Sequence, residues 1–409
     1  MKARIESNLI KANEIHYFSE FLNKVTAKLN AGLVTASEYV VNRDLDGTFK
    51  KKGESVELTV RIPSAAETHS DSGNSATDFK EGKRIIKMDN ILTVDHELTL
   101  SELANQISAG KTEIIDSMYD GLVDKIETDM LAVMAARSLG YSGTPGTTLS
   151  TTATLLAARK FMTKYRVPRN DRYGILEEEA AAKILDLDQW KNVATAGETA
   201  GLVESSIGRR FGVSWHESPF PPTVALTGTF EAKNKTITGS VTAASNTTTT
   251  DGLPISLCTI KSDTDTDTAT LSAGAQGTIV SPTQGTIYFT VVEAKESGTS
   301  NGDEIVTDAK IYTNPAINAD ITDGVVTFIA KNKSAGVKNM IWQKDCVYMV
   351  ARALEPYPDK PSVTLISPTG LPLRLSMGSN ILTKKTQISL DLLWKPYVAR
   401  PEGVTTIYG

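Results

Sequence analysis

Apolar side chains recur every three or four residues over a long stretch in the first third of the chain. This spacing places them on one face of an α-helix. At 1.5 Å per residue, a helix from Lys111 to Leu139 is about 40 Å long, and Gly140 followed by Pro145 supplies an end signal. The pattern predicts one long amphipathic helix, and its recurring apolar positions are Ile114, Met118, Leu122, Ile126, Met130, Val133 and Met134.

Strict alternation of apolar and polar residues marks two segments close to the end of the sequence. A period of two is typical of a β-strand that buries one face. A polar stretch from Gly378 to Thr386 separates the two segments and predicts a turn. We therefore expect a hairpin whose apolar positions are Leu371, Leu373, Leu375 and Met377 in the first strand and Ile388, Leu390, Leu392 and Trp394 in the second.

Two further strand-like stretches, Val56 to Ile62 and Arg84 to Leu92, flank a small, polar and glycine-containing segment from Ser64 to Lys83. A long polar connection between two strands is usually exposed. This region therefore predicts a two-stranded arm with an exposed tip. A helix is predicted before the arm, from Glu14 to Leu29.

The region from Leu226 to Lys338 differs from the rest of the chain because it contains no arginine and about one residue in five is threonine. Threonine is common in strands, whereas Gly, Ser, Asn and Asp favour turns. The region carries 8 lysines and 12 acidic residues, a local balance of 8 − 12 = −4. It predicts an inserted all-β domain, with strands at 285–292 and 324–330 and exposed loops at 246–252 and 297–302.

Length and composition add few constraints on function. A chain of 409 residues is long enough for two or three compact units. A net charge of −5 disfavours a protein whose main task is to grip nucleic acid. No apolar stretch is long enough to predict a membrane span. The cysteines, Cys258 and Cys346, lack metal-ligand spacing and are expected to be inert reduced thiols.

The sequence contains fragments of catalytic and metal-binding motifs, but none of them is complete. Gly110-Lys111-Thr112 copies the end of a phosphate-binding loop, but Asn105 stands where the first glycine is needed. The histidines, His16, His69, His96 and His216, share no zinc-site spacing. Glu177, Glu178 and Glu179 are consecutive, so on a helix they cannot face one another as a catalytic pair, and a solvated helix start is expected. The sequence predicts no enzyme, no catalytic residue, no metal and no cofactor.

Several segments, taken in order, resemble the major capsid proteins of tailed bacteriophages with the Hong Kong 97 fold. The similarity is to those of short-tailed lambdoid phages with an inserted β domain, and it covers essentially the whole chain. The segments that carry it are FKKKGESVELTVRIP (49–63), YGILEEEAAAKIL (173–185), IGRRFGVSWHESPFPP (207–222), AGVKNMIWQKDCVYMVARAL (335–354), the predicted hairpin, and KPYVARPEGVTTIYG (395–409).

The resemblance implies an α+β capsid fold with an inserted all-β domain. The implied division is an N-terminal arm (1–47), an extended loop (48–95), a peripheral domain with a spine helix (96–140), an axial domain (141–225 and 339–360), the inserted β domain (226–338), a peripheral hairpin (361–395) and a C-terminal segment (396–409).

The implied function is self-assembly into pentamers and hexamers of an icosahedral phage head. The implied partners are further copies of the chain, a scaffolding protein, a portal protein and packaged double-stranded DNA bound without sequence specificity. Assembly is expected in the host cytoplasm and the final location is the virion, without membrane contact. The alternatives are an encapsulin-like shell protein and a surface or carbohydrate-binding protein whose exposed aromatics would be Tyr288, Phe289, Tyr312 and Phe328; all four are expected to be core residues instead.

Two groups of charged residues are candidate contacts between copies. Lys50, Lys51 and Lys52 could meet acidic residues of a neighbour or form a solvated run. Asp263, Asp265 and Asp267 alternate like the start of a calcium loop, but Thr268 and Gly274 stand where glycine and a bidentate glutamate are needed. The three aspartates are therefore interpreted as a weak cation site, a solvated loop or a contact for lysines of a partner.

Overall fold

A computed structural model of the chain describes residues 41–44, 55–61, 81–99, 113–187, 190, 207–224, 237–248, 253–262, 273–281, 285–294, 305–314, 317, 321–328, 336–358, 362–366, 371–380 and 385–409. The predicted helix from Glu14 to Leu29 and the predicted loop at 297–302 lie outside these residues.

The long amphipathic helix is confirmed as α1, Glu113–Arg137. Four of its apolar side chains, those of Met118, Leu122, Ile126 and Met130, are fully buried. They lie on the face that the three-and-four spacing predicts. Helix α1 packs on a six-stranded sheet, and the two form a large apolar core among the described residues.

The six-stranded sheet has the order β1-β17-β20-β19-β18, and β4 also pairs with β20. The predicted hairpin is confirmed, because β19 and β20 are antiparallel with Leu375 opposite Leu390 and Met377 opposite Ile388. Its turn is shorter than predicted, because both strands continue their pairing into the polar segment. The strands of this sheet are β1 (Val41–Asp44), β4 (Ile91–Thr99), β17 (Val347–Arg352), β18 (Ser362–Ile366), β19 (Pro372–Asn380) and β20 (Lys385–Val398).

The predicted two-stranded arm is present as a ribbon of β2 (Ser55–Arg61) and β3 (Glu81–Lys87). The strands are antiparallel, with Ser55 opposite Lys87 and Arg61 opposite Glu81. The second predicted strand was too long, because the chain leaves the ribbon at Met88, whose buried side chain enters the core, and then joins the six-stranded sheet as β4. The tip, residues 62–80, lies outside the described residues.

A seven-stranded sheet has the order β5-β21-β16-β6-β8-β7, and β9 also pairs with β16. Helices α2 (Thr152–Lys164) and α3 (Glu178–Leu185) contribute to an apolar core with strands of this sheet. Its strands are β5 (Gly140–Ser142), β6 (Arg172–Leu176), β7 (Arg209–Arg210), β8 (Val213–Glu217), β9 (Thr223–Val224), β16 (Gly336–Gln343) and β21 (Val404–Tyr408).

The threonine-rich region forms a closed barrel with the order β10-β11-β14-β13-β12-β15. The predicted strands at 285–292 and 324–330 correspond to β13 and β15. The predicted loop at 246–252 was wrong for Asn246 to Thr248, because these residues pair with β11. The barrel strands are β10 (Ile237–Thr248), β11 (Pro254–Ser262), β12 (Gln276–Ser281), β13 (Gly285–Ala294), β14 (Ile305–Thr313) and β15 (Ile321–Phe328).

Candidate functional site

The residues that the sequence singles out as contacts between copies lie outside the described residues. This holds for Lys50, Lys51 and Lys52, before the start of β2, and for Asp263, Asp265 and Asp267, just beyond the end of β11. The phosphate-loop-like segment at 110–112 also falls outside. Two other features of the described structure are considered instead. One is the base of the ribbon, and the other is the junction between the barrel and the rest of the protein.

The ribbon is anchored at one end only within the described structure. Its strands pair only with each other among the described strands. At its base, Ile86 and Met88 are buried against Val350, Leu393 and Tyr397 on the six-stranded sheet. A two-stranded ribbon without a covering layer is marginally stable in water. The base holds the ribbon in place, and the paired strands present two edges without a partner strand among the described strands.

The barrel meets the end of α1 through a buried polar network centred on Gln276. Its Nε2 donates to the carbonyl oxygen of Ser138 at 2.6 Å and to the Ser138 Oγ at 2.8 Å. Thr290 Oγ1 donates to the same carbonyl oxygen at 2.6 Å, and Tyr408 Oη donates to Gln276 Oε1 at 2.9 Å. Buried polar groups whose partners are all supplied fix one arrangement of the elements that carry them. The network joins β12 and β13 of the barrel to α1 and to β21.

A glycine lies at a close approach between the barrel and α1. Gly274 has a φ of +85°, and a Cβ there would lie 3.1 Å from the Cα of Ala136. A side chain at this position would therefore be strained in conformation and crowded against backbone. The conformation and the close approach explain why residue 274 is glycine. They also account for the glycine at a position where a calcium loop would need glutamate.

Lys338 is a buried cation at the same junction. Only 2% of the residue is exposed, and its Nζ donates to the carbonyl oxygen of Gly274 at 3.2 Å. The ammonium also lies 5.8 Å from the ring centroid of Tyr408. No carboxylate among the described residues forms an ion pair with it, and burial lowers the pKa of Lys338 to about 8. The charged form is disfavoured because the site removes water without supplying an anion.

A second group of polar contacts joins the barrel to the turn that precedes β21. Tyr312 of β14 donates its hydroxyl to Glu402 Oε2 at 2.9 Å, and Arg400 Nε donates to Glu402 Oε1 at 3.0 Å. Burial, and then the charge of Glu402, raise the pKa of Tyr312 well above its usual range. Arg84 of the ribbon donates its Nε to the carbonyl oxygen of Ala399 at 3.4 Å. The 399–402 turn therefore contacts both the barrel and the ribbon.

The aromatic residues of the barrel lie inside this junction. Phe289 is fully buried and Tyr312 is 6% exposed, as the sequence predicts. Tyr288 is half-buried and stacks edge-to-face with Phe161 of α2, with ring centroids 4.9 Å apart. The side chain of Phe328 is outside the described part. These three aromatics pack within the protein and do not form an exposed sugar-binding platform.

Two other groups that the sequence suggests, Cys346 and the glutamates at 177–179, lie in the described part of the chain. Cys346 is fully buried, and burial raises the pKa of its thiol to about 12, which disfavours the reactive thiolate. Glu177 precedes α3, and Glu178 and Glu179 begin it, as expected for a helix start. Among the described residues no group of three His, Cys, Asp or Glu side chains is placed to hold a metal ion. No helix in the described ranges combines the length and apolar character of a membrane span.

No family profile matches the sequence, and no curated protein matches it. The fold is similar to solved structures over about nine-tenths of the chain. The similar structures include those of phages. A structure from Mycobacterium phage Che8 shares 12% identity, covers 92% of this chain and 90% of its own, and has a TM-score of 0.48. The capsid structure of the cyanophage P-SCSP1u shares 12% identity, covers 90% of this chain and 86% of its own, and has a TM-score of 0.45. The mature capsid structure of bacteriophage PhiM1 shares 10% identity, covers 91% of this chain and 85% of its own, and has a TM-score of 0.44.

The junction residues were missed in the sequence because polar residues are usually exposed. Ser138 lies more than one hundred residues before Gln276 and Thr290, and the three residues belong to no motif. Lys338 carried a weak signal, since it is the only charged residue in the apolar segment GVKNMIW. Nothing in the sequence distinguishes that lysine from one at the exposed end of a strand.

Proposed function

We propose that this chain is the major subunit of a phage capsid. In this proposal it assembles into pentamers and hexamers of an icosahedral head with the help of a scaffolding protein. The head encloses double-stranded DNA without sequence-specific contacts, and a portal protein occupies one vertex. Assembly takes place in the host cytoplasm, and Lys50 to Lys52 and Asp263 to Asp267 remain candidate contacts between copies.

The ribbon of β2 and β3 is the observation that carries the proposal. Its base is bound to the six-stranded sheet through Ile86 and Met88, while its strands pair only with each other among the described strands. Unpaired strand edges are a liability in a lone monomer and become useful when another copy covers them. A projecting ribbon with a fixed base is suited to reach a neighbouring subunit, as the extended loop of the family that the sequence resembles is expected to do.

The barrel has a supporting role in this proposal. It is held against the end of α1 and against β21 by the Gln276 network, by Lys338 and by Tyr312. These contacts join segments that are distant in sequence, from 64 residues apart for Gly274 and Lys338 to 138 residues apart for Ser138 and Gln276. We infer that the barrel is an inserted domain that stabilises the subunit before and during assembly.

The alternatives make different predictions. A carbohydrate-binding protein needs exposed aromatics, but Phe289 and Tyr312 are buried and Tyr288 packs on α2. An encapsulin-like compartment would also form shells, but it would assemble without a scaffolding protein and would not be filled by a packaging motor. The requirement for scaffold therefore separates the two shell functions.

The test is to express the full chain with and without the scaffolding protein of the same phage and to examine both samples by sedimentation velocity and negative-stain microscopy. We expect closed particles of uniform size with scaffold, and monomers or irregular particles without it. A chain that stays strictly monomeric in both samples contradicts the proposal. Uniform small shells formed equally well without scaffold would favour the compartment.

A further inference from the structure

A concentrated basic surface lies at the end of α2 and in the turn that leads into β6. Between residues 159 and 172 the sequence has six basic residues and one acidic residue, although the whole chain has a net charge of −5. Lys160, Arg166 and Arg169 are exposed. None of the three forms an ion pair within the described structure. We call these three residues the basic turn.

Arg166 occupies a position that glycine usually fills. Its φ is +55°, in the left-handed region. Its backbone N–H donates to the carbonyl oxygen of Thr163 at 3.1 Å, and the N–H of Val167 donates to that of Met162 at 3.0 Å. These two hydrogen bonds form the Schellman motif that ends α2, and its left-handed residue is most often glycine. A long cationic side chain is therefore kept at a position where it costs stability.

The buried arginine of this turn, Arg172, is hydrogen-bonded within the protein. Arg172 is buried and folds back, donating its Nη2 to the carbonyl oxygen of Val167 at 2.7 Å and its Nε to that of Pro168 at 2.8 Å. Burial, and then the nearby charges of Arg159 and Arg169, lower the pKa of Arg172. Positive charges are thus crowded here, and an anionic partner would relieve the repulsion.

A complementary acidic surface lies at the other end of the same strand. Strand β6 runs from Arg172 to Leu176, about 16 Å at 3.3 Å per residue, and α3 then begins with Glu178 and Glu179, both exposed. Glu179 accepts one hydrogen bond, from the Thr148 hydroxyl at 3.3 Å. Burial, and then the charges of Glu179 and Glu178, raise the pKa of Glu177. Within the described structure no ion pair joins the two surfaces.

We propose that the basic turn binds the acidic start of α3 in a second copy of this chain, so that the two ends of β6 form a head-to-tail contact. Contacts between two different patches generate rings when the rotation closes. Arginine is suited to this role because its guanidinium binds carboxylates in a bidentate manner. The inference rests on the proposed function and adds to it a specific contact within each ring of subunits.

Charge reversal tests the contact. We expect the R166E/R169E variant, expressed as the full chain with scaffold, to form shells with a yield at least about tenfold lower than the unaltered chain. The E178K/E179K variant should lose assembly as well, and the variant that combines all four substitutions should recover it because the contact is reformed with its signs exchanged. D120K/D124K, which alters exposed acidic residues on α1, is the matched control and should not rescue R166E/R169E.

Two further measurements separate assembly from folding. R166G removes both the cation and the strain, so we expect a higher midpoint of thermal unfolding for the free subunit together with a lower yield of shells. E178Q/E179Q removes the acidic charges without placing cations at the start of a helix, and it should weaken assembly while α3 stays folded.

The outcomes that overturn the inference are distinct. If the unaltered chain stays monomeric, the proposed function fails and the contact fails with it. If the unaltered chain assembles and R166E/R169E assembles equally well, only the contact is refuted. The contact is also refuted if the fourfold variant does not recover assembly. It is refuted as well if R166E/R169E forms normal shells that retain less nucleic acid, because the basic turn would then face the packaged polyanion.

Discussion

Replacing Lys338 by methionine tests whether the barrel junction contains an uncompensated buried charge. Methionine keeps an unbranched side chain of similar length and removes the ammonium. Lys338 is 2% exposed, and its pKa of about 8 in the folded protein compares with 10.5 for a free lysine. A difference of that size corresponds to about 3 kcal/mol of destabilisation at neutral pH, where both states are protonated.

The direction of the pH dependence follows from the lowered pKa. The destabilisation by the charged Lys338 is fully present below about pH 8. It fades as the pH rises toward the pKa of lysine in the unfolded chain, because Lys338 loses its proton at a lower pH in the folded protein than in the unfolded one. Between about pH 7 and about pH 9.5 the free energy of unfolding of the unaltered chain should rise by about 2 kcal/mol relative to the Lys338→Met variant. The tyrosines near Lys338 cancel in this comparison because both proteins contain them.

The assay is urea unfolding of the unassembled subunit, followed by the fluorescence of its four tryptophans, at several pH values. The control is Lys125→Met on α1, whose side chain is 53% exposed and pairs with Asp129 at 2.7 Å. An exposed pair of this kind contributes less than about 1 kcal/mol. The reasoning is refuted if the difference between the unaltered chain and Lys338→Met is as flat across this pH range as the control.

Three other substitutions probe the same architecture. Gln276→Leu should lower the free energy of unfolding by about 2 kcal/mol or more in urea melts, because it removes the hydrogen bonds that Gln276 donates to the buried carbonyl oxygens of Ser138 and Gly140 and the acceptor of the Tyr408 hydroxyl. A neutral effect would contradict this. Arg374→Met should cost about 3 to 5 kcal/mol, because it leaves Asp391, 3% exposed, without the partner that lies 2.6 Å away; an unchanged thermal midpoint would contradict this. Gly403→Ala should cost about 1 to 3 kcal/mol, because its Cβ would collide with the Sγ of Cys346, and adding Cys346→Ala should restore part of the loss if the collision is the cause.

Local patterns predicted the elements that depend on local spacing. Helix α1 follows from a 3.6-residue period, and the β19–β20 hairpin follows from a strict period of two on both sides of a polar turn. The ribbon was predicted for the same reason, although the end of β3 was not. The chain turns at Met88 because that side chain packs against residues more than two hundred positions away, such as Leu393.

Long-range pairing could not be predicted from the same patterns. Strand β21 lies between β5 and β16 in the seven-stranded sheet, and nothing in its own sequence specifies either neighbour. The closure of the barrel is hidden for a similar reason, since threonine-rich strands alternate weakly and do not reveal their order. The junction residues Gln276 and Lys338 break the rule that polar side chains are exposed, so a sequence pattern cannot identify them.

We propose that this chain is a shell subunit whose ribbon is covered by another copy. The most direct measurement is a cryo-electron microscopy reconstruction of the particles formed by the full chain with its scaffolding protein. We predict a closed icosahedral shell in which the β2–β3 ribbon of each subunit lies against a neighbouring subunit. Failure to form a closed shell, or a ribbon that folds back onto its own subunit and touches no neighbour, would contradict the account.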